Sequence, residues 1–206
     1  AMTGMEVVAT EPVVSYRESI TAAPEECPPR MAKSQNKHNR VVITASRMDD
    51  ELLRKLEDRE ITPRDDEVSL ARELVSKHGW DSSTARRIWA WGPEDVSMPP
   101  TNVLVDCSVG VQGLTAVKDS IKRAFLELCG SGVLAKEQLR GVRFEVRDAT
   151  VHNDPAHRGA GQVIPAAKRA MQAAFLSAGP TLLEPLFQVE VMAGETDMGA
   201  VYSTVS

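Results

Sequence analysis

Short strand-like runs and amphipathic helical stretches follow one another without strict alternation, which predicts an α+β fold: a mixed sheet with packed helices. Three features carry that expectation. Residues 40–46 and 142–147 are strand-like, the second run alternating strictly between apolar and charged residues, whereas residues 111–128 and 164–178 show the three-to-four spacing of helices. Aromatic residues make up only 4% of the chain, so the core must be filled mainly by Val, Leu, Ile, Ala and Met.

Val13 to Ile20 alternates as a strand, with Val14, Tyr16 and Ile20 on one face. Residues 21–37 carry Pro24, Pro28 and Pro29 among polar neighbours and read as a long loop, after which Arg40 to Ser46 resumes β character. Strand, loop and strand predict a hairpin with an unusually long tip, and loops of that length are usually functional or disordered. From 48 to 90 the pattern is helical and charged. Asp49-Asp50-Glu51 starts one helix, and Thr62-Pro63 or Asp65-Asp66 opens a second that Gly79 ends. Asp81 or Ser82 caps a short third helix running to Trp89, and Pro93 to Pro100 is a linker.

Asn102 to Ser108 has the apolar density of a buried strand. Val111, Leu114, Val117, Ile121, Phe125 and Leu128 then mark one helix face, stopped at Cys129-Gly130-Ser131-Gly132. Val142, Phe144 and Val146 alternate with Arg143, Glu145 and Arg147, predicting a strand with a solvated charged face. Ile164, Ala167, Met171, Ala174, Phe175 and Ala178 mark a last amphipathic helix. Phe187, Val189 and Val191 form a further strand, and Gly199 to Ser206 opens a helix.

No apolar run approaches the roughly 20 residues that span a bilayer, and the N-terminus has no basic stretch followed by an apolar one. These features place the chain in the cytoplasm, away from membranes. Cys27, Cys107 and Cys129 are odd in number and form no CxxC pair, so they read as reduced thiols rather than as a disulfide framework or zinc site. A net charge of −5 argues against general affinity for nucleic acid. The charge is uneven, however: acids crowd 47–75 and 184–197, whereas Lys33, Lys37, Arg40 and Arg158 fall in or beside loops, which keeps RNA open as a local partner.

Two stretches could carry function. Residues 151–162 form a loop of small residues leading into a helix. Gly159 and Gly161 permit close approach of a ligand and positive φ, the helix N-terminus offers unpaired N–H groups to an anion, and His157 and Arg158 add donors at the same point. RNA phosphate fits that environment, as does an exposed turn whose glycines serve only geometry. His152, Asp154 and His157 also have zinc-ligating chemistry, but their spacing is not that of a helical HExxH pair and Pro155 precludes one. The second stretch, Ser34 to Arg40, carries the basic and amide side chains of Lys37, His38, Asn39 and Arg40. Its Asn36-Lys37-His38-Asn39 superficially matches the guanine-reading NKxD of GTPases, but Asn39 replaces the aspartate and the chain has no GxxxxGK[ST] loop, so no GTP site is expected.

Pro12-Val13-Val14-Ser15-Tyr16-Arg17-Glu18, Asn36-Lys37-His38-Asn39-Arg40, Pro63-Arg64-Asp65-Asp66, Ala85-Arg86-Arg87-Ile88-Trp89, Lys118-Asp119-Ser120, Arg140-Gly141-Val142-Arg143-Phe144, the loop His157-Arg158-Gly159 through Gly161-Gln162, Leu183-Glu184-Pro185 and Val189-Glu190-Val191 occur in this order over nearly the whole chain. Together they resemble the eukaryotic-type translation elongation factor 2 family. The resemblance implies that residues 12–183 are its fourth domain, with a fold similar to ribosomal protein S5 domain 2. It implies that residues 1–11 end the third domain and that 184–206 begin the fifth, giving the first strand and helix of a ferredoxin-like unit.

In that family the fourth domain reaches into the decoding-centre A site of the ribosome during translocation and contacts tRNA and mRNA. The resemblance assigns this contact to Lys37, His38, Asn39, Arg40, His152, Asp154, His157, Arg158, Gly159 and Gly161. His157 matches the histidine that the family converts to diphthamide, which brings diphthamide-synthesis enzymes and ADP-ribosylating toxins in as partners. The family's usual loop reads DAIHRGGGQ, and this sequence departs from it at Pro155, Ala156 and Ala160, while Gln35 replaces a proline in the other loop. GTP and magnesium are expected in a domain outside this chain, leaving it without a cofactor, a metal or catalysis of its own, as a monomer. The alternatives are the spliceosomal U5 GTPase paralogue of elongation factor 2, a metal-dependent hydrolase using His152, Asp154 and His157, and a free-standing RNA-binding module.

Overall fold

The computed structural model describes residues 16–63, 67–95 and 97–186, with a few isolated positions beyond. Among the described residues eight strands appear: β1 (Arg17–Ile20), β2 (Arg30–Lys33), β3 (Arg40–Arg47), β4 (Ile88–Gly92), β5 (Asn102–Asp106), β6 (Gln138–Leu139), β7 (Val142–Thr150) and β8 (Pro180–Leu183). Five α-helices accompany them: α1 (Asp50–Glu57), α2 (Glu67–His78), α3 (Ser82–Ala85), α4 (Lys118–Gly130) and α5 (Ala160–Ser177). The strands form a five-stranded sheet in the order β2-β3-β7-β5-β4 and a three-stranded one in the order β6-β1-β8. The large sheet is mixed, with β5 parallel to β7 and the other pairs antiparallel. The α+β expectation is met.

The period-two pattern divides the large sheet between two layers. Val41, Ile43 and Ala45 of β3, Leu104 of β5, and Val142, Phe144 and Val146 of β7 face a core closed by Ile121, Phe125 and Leu128 of α4 and Met171 and Phe175 of α5. Phe125, Phe144 and Phe175 are wholly enclosed there, each worth about 1.5–3 kcal/mol of apolar burial. Val103 and Val105 point the other way, into a smaller core with Leu52 and Leu56 of α1, Leu70 and Leu74 of α2, and Trp80. Asp49 starts α1 by accepting the Leu52 N–H, and that bond, with His78 at 3.1 Å, holds its carboxyl below the usual carboxylate range.

This second layer corrects one expectation. The Arg143-Glu145-Arg147 face of β7 is only partly solvated: Trp80 lies over Arg143 and Glu145 is buried, whereas the Arg147 side chain stays 46% exposed. Arg143 sits 4.1 Å above the Trp80 ring, and Glu145, only 5% exposed, pairs with Arg143 at 2.5 Å and Arg147 at 2.7 Å. Two more corrections concern connectivity. The expected hairpin between residues 13–20 and 40–46 does not form: β1 belongs to the small sheet, and Arg30–Lys33, read as loop, is the strand that pairs with β3. The short third helix stops at Ala85, and Trp89 and Trp91 lie on the edge strand β4. Residues 13–15, and the strand and helix expected over 187–191 and from 199 onward, fall wholly or largely outside the described residues.

Two buried polar side chains organise the backbone around the sheets, and the first ties one sheet to the other. Asn102, fully buried, donates to the carbonyls of Gly92 (3.2 Å) and Leu139 (2.8 Å) and accepts the Val142 N–H (3.0 Å). Replacing it with alanine strands those backbone groups away from water, and is expected to lower stability by about 2–4 kcal/mol in denaturant titration. Glu18, on the central strand of the small sheet, is the second.

Candidate functional site

The β3–β7 register decides where the two polar loops meet. Arg40 is opposite Thr150, so the β2–β3 turn and the loop after β7 leave the sheet at the same end. The pairing is reinforced by Arg40, whose Nε donates to Thr150 Oγ1 (2.7 Å) and whose guanidinium reaches Asp148 at 3.2 Å.

Within the β2–β3 turn, Ser34 N–H donates to the Asn39 carbonyl (2.8 Å) and Lys37 N–H to the Ser34 carbonyl (2.9 Å). Asn36 Oδ1 accepts from the Ser34 hydroxyl (2.5 Å) and the His38 N–H (3.1 Å). These bonds hold Lys37 in the left-handed region, φ 61°, an unusual conformation for a residue with a side chain. With the turn closed by Ser34 and Asn36, the side chains of Lys37 and His38 are left exposed.

In the second loop Asp154 caps a single helical turn, Pro155–His157, by accepting the Ala156 N–H at 2.9 Å. The Asp154 N–H in turn donates to His152 Nδ1 (3.1 Å), and Arg158 donates to the His152 carbonyl (3.2 Å). Gly159 then opens α5, and no side chain caps that helix. Gly159 has φ −60° and Gly161 is not among the glycines with positive φ, so neither needs the freedom expected from sequence. Both are exposed, and a Cβ at either position would meet nothing within 4 Å. What these glycines provide is open space beside the helix start.

Four hydrogen bonds join the loops, two of them at one carbonyl. Asn36 Nδ2 and Asn39 Nδ2 each donate to the oxygen of His157 at 2.8 Å. Asn39 Oδ1 accepts the His152 N–H (3.0 Å), and Gln162 Oε1 accepts the Asn36 N–H (3.0 Å). Three imidazoles consequently gather at the tip: the ring centroids are 5.0 Å apart for His38–His152, 4.8 Å for His38–His157 and 4.7 Å for His152–His157. The His157 side chain remains 45% exposed, with Nε2 4.0 Å from Asp154.

Of the residues singled out from sequence, Lys37, His38, His152, Asp154, His157, Arg158, Gly159 and Gly161 all belong to this one cluster, and Arg40 stands at its base. Asn39 differs in role: it is 2% exposed and positions its neighbours rather than facing outward. Sequence reasoning did not single out Ser34, Asn36 and Gln162 as fasteners, although amide and hydroxyl side chains at turn positions are the usual signal of such bonds. Among the described residues, no group of three or more His, Cys, Asp or Glu is placed to hold a metal ion. No helix among them is long and apolar enough to cross a membrane.

The assembly is thus a narrow tip with imidazole, ammonium and guanidinium donors around an uncapped helix start, a surface suited to anionic oxygens. In comparison with known proteins, residues 59–179 match the family model described as elongation factor G, domain IV.

Proposed function

Because the chain belongs to the family of elongation factor G domain IV, a domain of the translation factors that act on the ribosome in translocation, we propose that it is the fourth-domain segment of an elongation factor 2 of the eukaryotic type. In this reading residues 12–183 form the domain, residues 1–11 and 184–206 belong to its neighbours, and GTP hydrolysis resides elsewhere in the protein. The tip enters the decoding-centre A site and touches tRNA and mRNA. The Asn36-Lys37-His38-Asn39-Arg40 and His157-Arg158-Gly159 runs support the eukaryotic type.

The observation that carries the reading is the convergence of the two loops on the His157 carbonyl, which gathers His38, His152 and His157 beside Lys37 and Arg158. None of these groups needs to make or break a bond. They bind RNA in its advanced position better than in its starting one, and that difference in affinity shifts the population forward. His157, exposed and at the centre of the cluster, is the residue this reading assigns to diphthamide synthesis and to ADP-ribosylating toxins.

The test uses the complete factor carrying this segment. Lys37→Ala with His157→Ala is expected to slow translocation by about tenfold, equivalent to about 1.4 kcal/mol of lost stabilisation, while ribosome-stimulated GTP hydrolysis stays near wild type. Unchanged translocation and frame maintenance would remove the assignment. Recovery of the factor on U5 particles instead of ribosomes would replace it with the spliceosomal paralogue.

A further inference from the structure

The charge of this acidic chain is segregated in a way the tip alone does not use. Residues 27–48 and 155–183 contain no aspartate or glutamate, yet carry eight of the arginines and lysines of a chain whose net charge is −5. The fold brings these two stretches together. β2 is an edge strand of the large sheet, and α5 packs against β2 and β3. The helix, 18 residues long and about 27 Å from end to end, runs from the histidine cluster back along that edge.

Basic side chains recur down its length. Arg158 and Lys37 lie at the tip. Further along, the Arg169 guanidinium donates to the Lys33 carbonyl (2.7 Å), which sets these two side chains at one level. At the far end Arg30 Nε donates to Ser177 Oγ (2.7 Å). Arg30, Lys33 and Arg169 are exposed, and none of these five cations has a carboxylate partner among the described residues. Arg140, Arg87 and Arg147, by contrast, pair with Glu57, Asp106 and Glu145. Arg30 and Arg169 each spend one bond on a neutral protein acceptor, which fixes the stem and leaves the other donors of the fork outward.

We infer that the β2–α5 edge is a second RNA-binding surface, continuous with the tip, on which Arg30, Lys33 and Arg169 follow a phosphate backbone leading away from the bases met at the tip. This rests on the reading of the tip as an RNA contact and extends it from a point to a track. Phosphates are the fitting partner because the edge, among the described residues, offers spaced cations and no exposed aromatic ring, which suits backbone recognition rather than base readout.

The test is the salt dependence of binding between the purified 206-residue chain and a short fluorescein-labelled RNA hairpin with a single-stranded tail. Arg30→Gln, Lys33→Gln and Arg169→Gln combined are expected to weaken binding about tenfold or more at low salt, and to reduce the slope of log K against log salt by about 3. Arg30→Lys with Arg169→Lys, which keeps the charges, should stay near wild type and exclude misfolding as the cause. An unchanged slope in the glutamine triple, with Lys37→Gln plus Arg158→Gln still weakening binding, overturns the edge and leaves the tip. The reverse result keeps the edge and overturns the tip. Absence of saturable RNA binding by the wild type overturns both, and displacement of RNA by poly-glutamate at equal charge overturns the assignment of RNA to the edge.

Discussion

Glu18→Ala is expected to remove about 4 kcal/mol or more of the folding stability. Glu18 is fully buried, and its two carboxylate oxygens accept four backbone N–H groups from one loop: Val133 at 2.6 Å, Leu134 and Ala135 at 2.8 Å, and Glu137 at 3.2 Å. A carboxylate surrounded by amide donors is stabilised by charge-assisted bonds, each worth more than a neutral one. The loop depends on the carboxylate as much as the carboxylate on the loop. Truncation removes the acceptor and leaves four donors facing a cavity, at about 1–3 kcal/mol for each donor that cannot reach water. Even partial rescue by water leaves a loss of about 4 kcal/mol or more, against a total stability of roughly 5–15 kcal/mol for a typical domain. The urea midpoint and the far-ultraviolet circular dichroism measure this. Glu18→Gln keeps the shape, loses the charge and turns one oxygen into a donor facing donors, so it should fall between wild type and alanine. A midpoint within experimental scatter for Glu18→Ala would contradict the account. Gly132 belongs to the same arrangement, since a Cβ there would stand 2.4 Å from the Glu18 carboxyl carbon and 2.7 Å from the Glu137 carbonyl.

Asn39→Ala is expected to separate the two tip loops. Asn39 donates to the His157 carbonyl (2.8 Å) and the Ser34 hydroxyl (3.2 Å) and accepts the His152 N–H (3.0 Å). Alanine loses all three bonds, at about 2–3 kcal/mol because Asn36 still holds the His157 carbonyl. The functional loss should be larger than the thermodynamic one. With His152 and His157 no longer held against His38, affinity for RNA should fall about tenfold or more, since the donors must then be ordered at the moment of binding. Loss of the cross-ring contacts in nuclear Overhauser spectra, together with weaker binding to the labelled hairpin, is the expected pair of results. Asn39→Asp separates the contributions, because it keeps the acceptor for His152 and turns the donor aimed at His157 into a second acceptor. Binding equal to wild type in both variants would show that the loops do not depend on this bridge.

The tip was legible in the sequence because its chemistry is local: basic and amide residues gather in two short runs, and the start of α5 is marked by glycines. That the runs meet was not legible from residue patterns, since it depends on Arg40 pairing with Thr150 across more than a hundred residues. The longer elements were visible for the same local reason, α4 and α5 through helical spacing and β7 through strict alternation. The short strands were hidden. Arg30–Lys33 follows two prolines and has no apolar alternation, because an edge strand needs only one neighbour. Ile88–Gly92 continues the apolar spacing of the helices before it and was absorbed into them. Buried charge was the other failure. Glu18 and Glu145 look like surface residues in any linear pattern, and only the loop bonded to one and the bonds of Arg143, Arg147 and Thr44 to the other show that they are internal.

The eight residues of β3 span about 26 Å, with the histidine cluster at one extremity and the Asp49 cap of α1 just past the other. Such a strand, bonded to β7 along its length and to β2 over its tip half, behaves as a stiff rod rather than a hinge. Displacement imposed at its root would therefore be delivered at the imidazoles rather than absorbed along the strand.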